Sequence, residues 1–390
     1  MINPVELAKH YTRFQVSSRL LLTGHSHQAW PDVAEAGVLE AFADAALHVD
    51  AKWEHAFAAA DRVRAGFRVL LDDPSGDYAL DANTHALVIR FLSALDLRKR
   101  PRLITSDSEF HTLRRQLARL GEEGIDVVRV PASPVDTLAE RMAALIDPRT
   151  SAVLVSAVLF DTSRIVPGLA PLAAACRSAD VELLVDAYHA LGAIPFTVPE
   201  HGLDSAWITG GGYKYLQLGE GNCFLRLPAH ASSLRPVITG WFAEFDDLST
   251  AARGQVTYAP GGDRFAGSTY DPTSHYRATH VLDFFTQQGL TPAALREISL
   301  HQTELLAKSF DALAIPDDVI TRDRTAPRSA FGGFLSLQSP RAGDLQAALA
   351  EQGVLTDSRA DRLRFGPAPY LTDDQLGRAI DTLGRVLDLG

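Results

Sequence analysis

Leu183-Leu184-Val185-Asp186 is followed by Gly212-Tyr213-Lys214-Tyr215, which sets Lys214 28 residues beyond Asp186. Three apolar residues ending on a carboxylate read as a buried strand whose last side chain emerges beside a low-dielectric core. A helix N-cap or a surface position is the plainer fate of such an aspartate. Lys214 lies between two tyrosines after Gly210-Gly211-Gly212, where a chain without β-carbons can bend and approach a ligand closely. A solvated loop lysine is the plainer alternative there.

Outward from this run, short apolar stretches alternate with helical ones. Leu103-Ile104-Thr105 precedes a helix through Leu113 and Leu117, and Val127 to Val130 precedes another through Leu138 and Leu145. Ala152 to Val158 precedes Leu169 to Cys176, and Val181 to Val185 follows. Two more strands are expected at Ala206-Trp207-Ile208 and Cys223-Phe224-Leu225. Upstream, Phe57, Val63, Phe67 and Leu70 recur at helical spacing. This alternation predicts an α/β fold, a mostly parallel sheet covered on both faces. Such sheets bind ligands at the carboxyl ends of their strands.

Beyond about Asp271 the pattern changes to two long helices, His275 to Phe285 and Pro292 to Leu313, and then a mixed tail. Strands are expected near Phe334 to Leu337 and Leu363 to Phe365, and helices near Asp344 to Glu351 and Asp374 to Leu387. Two domains follow from this reading: a large one over 1–270, whose N-terminal segment is free to pack on the other, and a smaller α+β one over 271–390.

Composition narrows the function classes. The 390 residues are 46% hydrophobic and 22% charged, ordinary for a globular protein. A net charge of −11 speaks against a nucleic-acid partner, because phosphate backbones demand clustered Lys and Arg. Cys176 and Cys223 are the sole cysteines and lie in apolar surroundings with no metal-ligand spacing, so no metal is expected and a reducing compartment is implied. Residues 1–13 lack a signal-peptide pattern, and no apolar run reaches the roughly 20 residues of a membrane span. A cytoplasmic protein with no membrane partner is the expectation.

An isolated amine paired with a strand-end carboxylate matches what pyridoxal 5'-phosphate (PLP) requires. One group forms the Schiff base and the other keeps the pyridine nitrogen protonated, so that the ring serves as an electron sink. Further segments resemble a known family. Val185-Asp186-Ala187-Tyr188-His189-Ala190-Leu191-Gly192 is similar to the Asp-x-x-His/Gln segment of class V aminotransferase-like enzymes. Gly212-Tyr213-Lys214-Tyr215-Leu216, Thr239-Gly240-Trp241-Phe242, Phe265-Ala266-Gly267-Ser268-Thr269 and Leu363-Arg364-Phe365-Gly366-Pro367-Ala368-Pro369-Tyr370 resemble segments of kynureninases.

The resemblance runs through nearly the whole chain and implies fold type I of the PLP-dependent transferases, usually a homodimer. It implies that Lys214 carries the cofactor, Asp186 pairs with its ring nitrogen and His189 contacts its ring or 3-oxygen. Phe110 would stack on the ring. Asn83 and Thr84, opening a helix, would bind the phosphate with Tyr213. Trp241 and Thr269 would reach the cofactor of a partner subunit. Arg364 would bind the carboxylate of an amino-acid substrate, with His25 and Ser26 nearby. Plain readings stay open: a core Phe110, N-caps at Asn83 and Thr84, a buried Trp241, and Arg364 paired with an acid such as Asp357.

The chain departs from the kynureninase pattern around the substrate. Gly24-His25-Ser26-His27-Gln28 replaces the Gly-Asn-Ser-Leu-Gly entry loop, His111-Thr112-Leu113 replaces Pro-Thr-Asp, and Leu159-Phe160 replaces Asn-Tyr. The implied activity is a hydrolase that cleaves the Cβ–Cγ bond of kynurenine or a related amino acid to alanine and an anthranilate. The alternatives are another class V reaction, such as transamination, epimerisation or lyase chemistry, and a non-catalytic binder. Cysteine desulfuration is disfavoured, since neither cysteine reads as a mobile-loop thiol.

Overall fold

The computed structural model describes residues 2–247 and 254–388. Its centre is a seven-stranded sheet of β1 (Asp77–Asp81), β2 (Arg102–Ser106), β3 (Asp126–Val130), β4 (Thr150–Ser156), β5 (Glu182–Asp186), β6 (Trp207–Gly211) and β7 (Cys223–Leu227). The spatial order is β1-β7-β6-β5-β4-β2-β3. Every pair is parallel except those made by β7, which runs against both β6 and β1. All residues of β4, β6 and β7 are buried, as suits strands covered by helices on both faces.

This is the α/β architecture expected, with one strand added. The segment Asp77–Asp81 lacked a strand signal because acidic residues bound it at both ends, and it pairs only with β7 at the sheet edge. The helix expected through Leu145 stops at Ala143, and Leu145 is exposed, so Leu138, Ala139 and Met142 supply its buried face.

The C-terminal half carries a four-stranded antiparallel sheet, in the order Asp357–Arg359, Arg362–Phe365, Leu335–Gln338, Thr321–Arg322. The N-terminal segment reaches this region, where Leu20–Leu21 runs parallel to Val354–Leu355. Helix Thr273–Gln288 instead packs against helix Val33–His48, where a side chain at Gly37 would collide with the Arg277 backbone. Among the described residues no helix is long and apolar enough to cross a membrane.

Candidate active site

The parallel strands end along one edge of the sheet, and the chemistry gathers there. Asp186 closes β5 and lies in register with Ser156 at the end of β4. The chain leaving β6 turns within three residues to Lys214, while β7, running the other way, begins at the same edge with Cys223. The glycines before Lys214 serve packing more than bending. Gly210 and Gly211 are strand residues, and a β-carbon on Gly211 would lie 2.0 Å from the Tyr188 hydroxyl oxygen.

A cavity of about 240 Å³ opens at this edge, and its walls bring together Asn83, Thr84, Phe110, Asp186, His189, Tyr213 and Lys214. Lys214 is only 5% exposed. Its Nζ lies 2.7 Å from His189 Nε2 and over the rings of Tyr188, Phe110 and Tyr213 at 5.2, 5.3 and 5.8 Å. Burial holds the amine below the usual lysine range, against the opposing pull of Asp186. Burial likewise raises the Asp186 carboxyl, whose Oδ1 accepts a 2.8 Å hydrogen bond from the Tyr188 amide. Burial and the Lys214 charge together hold the His189 imidazole well below its ordinary range.

The other expected residues divide. Asn83 caps helix Thr84–Ala94, its Oδ1 accepting from the Ala86 amide at 2.9 Å, which leaves the first backbone N–H groups of that helix at the cavity wall. Phe110 is half-buried, opens helix His111–Glu122 and meets Phe160 edge-on at 5.6 Å. Tyr213 stacks on His27 at 5.1 Å.

Arg364 does not line the cavity. It is 3% exposed and gives Nε and one terminal nitrogen to Asp357 Oδ1, and its other terminal nitrogen to the Phe160 carbonyl. His25 is fully buried and stacks on Phe334 at 4.7 Å, and among the described residues neither ring nitrogen has a partner. Ser26 is half-buried, and its hydroxyl meets His27 Nδ1 at 3.2 Å. Thr269 lines a separate cavity of about 490 Å³ with Arg64, Arg90 and Phe242, and Trp241 stands beside that wall, 4.4 Å from Phe242. Among the described residues no lysine lines that larger cavity, whereas the smaller one sets an amine beside a carboxylate.

Glu109 is the residue that sequence reading passed over. It is 1% exposed and wedged between the ends of β2 and β4. Its Oε1 accepts from Ser106 Oγ at 2.7 Å and the Ser156 amide at 3.2 Å, and its Oε2 from Ser156 Oγ at 2.6 Å. Burial raises its carboxyl to about 7, against the pull of these donors, and Asp186 adds to the rise. The signal for it in sequence was an acid immediately before an aromatic at a strand-to-helix turn. Cys223 also lines the cavity, but its thiol meets the Tyr188 hydroxyl at 3.0 Å and burial raises it, so it is neither mobile nor a ready thiolate.

Comparison with known proteins places this geometry. Residues 295–383 match the Kynureninase C-terminal domain family. A kynureninase of Xanthomonas oryzae pv. oryzae is 28% identical over 282 residues, covering 67% of this chain and 63% of that protein. The chain is thus similar to kynureninases and to other class V aminotransferase-superfamily proteins. A second relative, the uncharacterized aminotransferase YcbU of Bacillus subtilis, is 27% identical over 202 residues, or 52% of this chain and 50% of that one. The kynureninase-like chain thus spans between half and two-thirds of the length of these relatives. Its fold is that of C-DES, solved as a mutant with glycine linked to its PLP cofactor: TM-score 0.82, 18% identity, 96% of this chain and 98% of that chain. The cavity of the kynureninase-like chain fits PLP on its own terms. It offers a buried amine, a buried carboxylate across from it, an aromatic wall and a helix N-terminus for a phosphate.

Proposed function

We propose that this protein is a PLP-dependent hydrolase that cleaves the Cβ–Cγ bond of kynurenine or a related amino acid, leaving alanine and an anthranilate. The observation that carries the reading is Lys214 Nζ, buried, 2.7 Å from His189 Nε2 and sharing one cavity with Asp186. Bound there, PLP would supply an electron sink for negative charge at the substrate Cα.

The chain's own residues do the rest. Lys214 would hold the cofactor, and its amine is placed to take the Cα proton of a bound substrate; its lowered proton affinity keeps a share of the amine neutral near pH 7. His189, kept neutral by burial, presents Nε2 to that amine and helps hold the moving proton. Asp186 would keep the ring nitrogen protonated, and Phe110 would pack against the ring. Asn83, Thr84 and Tyr213 would hold the phosphate. Arg364 binds the substrate carboxylate, with His25 and Ser26 on the approach to it.

Leu113 and Phe160, two of the departures from the kynureninase pattern, line the cavity and with Phe110 give it an apolar wall suited to an aryl side chain. The protein acts as a homodimer in this reading. Val237, Ile238, Trp241 and Phe245 are exposed apolar residues, Trp241 at 42%, of the kind a partner copy would cover. Trp241 and Thr269 then face that copy's cofactor.

The test is a screen of amino acids against the yellow holoenzyme, following absorbance and product together. Alanine and an anthranilate released from kynurenine or 3-hydroxykynurenine support the reading. A spectral response and turnover with a different amino acid, and none with the kynurenines, overturn it in favour of another class V reaction.

A further inference from the structure

We infer that Asp357 is an internal stand-in for the substrate carboxylate, holding the Arg364 fork in the free protein and passing to Arg359 when an α-carboxylate takes its place. The inference rests on the carboxylate-binding role proposed for Arg364.

Asp357 and Arg364 are cross-strand partners in the small antiparallel sheet, so their pairing is built into the register. The way they meet is incomplete. Both the Nε and a terminal nitrogen of Arg364 converge on a single oxygen, Oδ1 of Asp357. A guanidinium and a carboxylate pair best as two parallel bonds to two oxygens. Here the second oxygen, Oδ2, is turned away to Arg359 at 3.2 Å. A free α-carboxylate arriving in the guanidinium plane can make the two-oxygen pair that Asp357 does not.

Charge points the same way. Two guanidiniums, Arg364 and Arg359, share one carboxylate, so the cluster is short of one negative charge. The Arg364 side chain is 4% exposed and that of Asp357 10%, whereas the Arg359 side chain is 43% exposed. Arg359 therefore offers the displaced carboxylate a partner at the water's edge, and the arriving anion takes the buried place. The third contact of Arg364, to the Phe160 carbonyl, ties it to the residue whose ring forms the cavity wall. His25 adds a second, independent sign of a missing anion. It stacks on Phe334, the ring that Arg364 also flanks at 5.7 Å, and both of its buried nitrogens lack partners among the described residues. A carboxylate oxygen beside Arg364 would give its N–H an acceptor.

The consequence is a specificity device. Ligands with an amine but no carboxylate leave Asp357 in place, while an amino acid must compete with it, which keeps wild-type affinity modest.

The experiment titrates holoenzyme with L-alanine and with L-kynurenine, following cofactor absorbance, for wild type, Asp357→Asn, Arg359→Gln and Arg364→Ala. Asp357→Asn removes the competing charge at nearly constant shape and should tighten the apparent Kd about tenfold, one charge-assisted contact's worth. Arg359→Gln removes the receiving cation and should weaken binding, and it reports independently if Asp357→Asn fails to form holoenzyme. Arg364→Ala should weaken binding most. If Arg364→Ala weakens binding while Asp357→Asn leaves it unchanged or weaker, the stand-in role is overturned and the carboxylate role of Arg364 survives. An unchanged Kd in Arg359→Gln likewise overturns the hand-over. If Arg364→Ala binds both ligands as wild type does, or no protein responds to either, the carboxylate reading fails and this inference with it.

Discussion

Two regions of this protein present aromatic walls and charged groups, and they are built oppositely. Around Lys214 the groups are buried and matched within one chain: amine to imidazole, Asp186 to a backbone amide, Glu109 to two hydroxyls and an amide. Around Trp241 and Thr269 the cavity is twice as large, yet Trp241 and Phe245 stand exposed, and Val237 is 83% exposed. The first region is closed largely by bonds within the chain, with a few buried atoms such as His189 Nδ1 and Thr84 Oγ1 left for a ligand, whereas the second leaves apolar surface for something outside the chain. A polar group buried without a partner is costly, so most groups of a buried site complete their hydrogen bonds during folding. Apolar surface at the rim carries a smaller cost in water and can wait for a partner.

The comparison breaks most directly at Lys214. Lys214→Ala should lower turnover by about 10²–10⁴-fold, the range for losing a positioned base, and borohydride should no longer fix the cofactor to the chain. An adduct mapped by mass spectrometry to Lys52 or Lys308 in wild type would mean that the first region has been misread.

Asp186→Asn keeps the shape and removes the charge. We expect about 10²–10³-fold slower turnover with the cofactor still attached, since an amide cannot hold the ring nitrogen protonated. Undiminished turnover in that variant would remove Asp186 from the site.

Glu109 sharpens the comparison through pH. Its folded carboxyl, raised to about 7, binds a proton more tightly than the unfolded one near 4.5. The folded chain therefore carries the extra proton between those values, and stability from this group falls as pH rises through that window and is level above it. The difference is on the order of 3 kcal/mol. Lys214 contributes with the opposite sign at higher pH, because its lowered folded value makes stability rise with pH up to the usual lysine range. Urea unfolding of Glu109→Gln against wild type across pH 4.5–8 isolates the Glu109 share. Parallel curves for the two proteins would show that Glu109 does not titrate in this window.

The smallest effect belongs to the second region. Trp241→Ala should weaken self-association by about tenfold, roughly 1.4 kcal/mol. Sedimentation measures it directly. A wild-type monomer at all concentrations would leave the exposed aromatics without the proposed partner.

The two regions were not equally legible. Asp186 and Lys214 could be found because each ends or follows a short apolar strand, and a local pattern places both at the same sheet edge. Glu109 has no role in the sequence reading, since its function arises where β2 and β4 end side by side, and their pairing is not written in either segment. The strand Asp77–Asp81 was missed for a related reason: its partner β7 lies far along the chain, with Asp77 paired to Leu227, 150 residues on, and Asp81 to Cys223, 142 residues on. Arg364 was read correctly as a buried strand residue, yet only the hairpin register decided that Asp357 answers it in the free protein.

By itself the sequence determined the alternation of strands and helices, the parallel sheet and the amine–carboxylate pair, because hydrophobic period and strand-end position are local properties. Tertiary structure alone decided which charges meet: His189 with Lys214, Glu109 between two serines, Arg364 with Asp357 rather than the cavity. Electrostatic pairing depends on distances of a few ångströms between segments far apart in the chain, and on how much water packing has removed from around them.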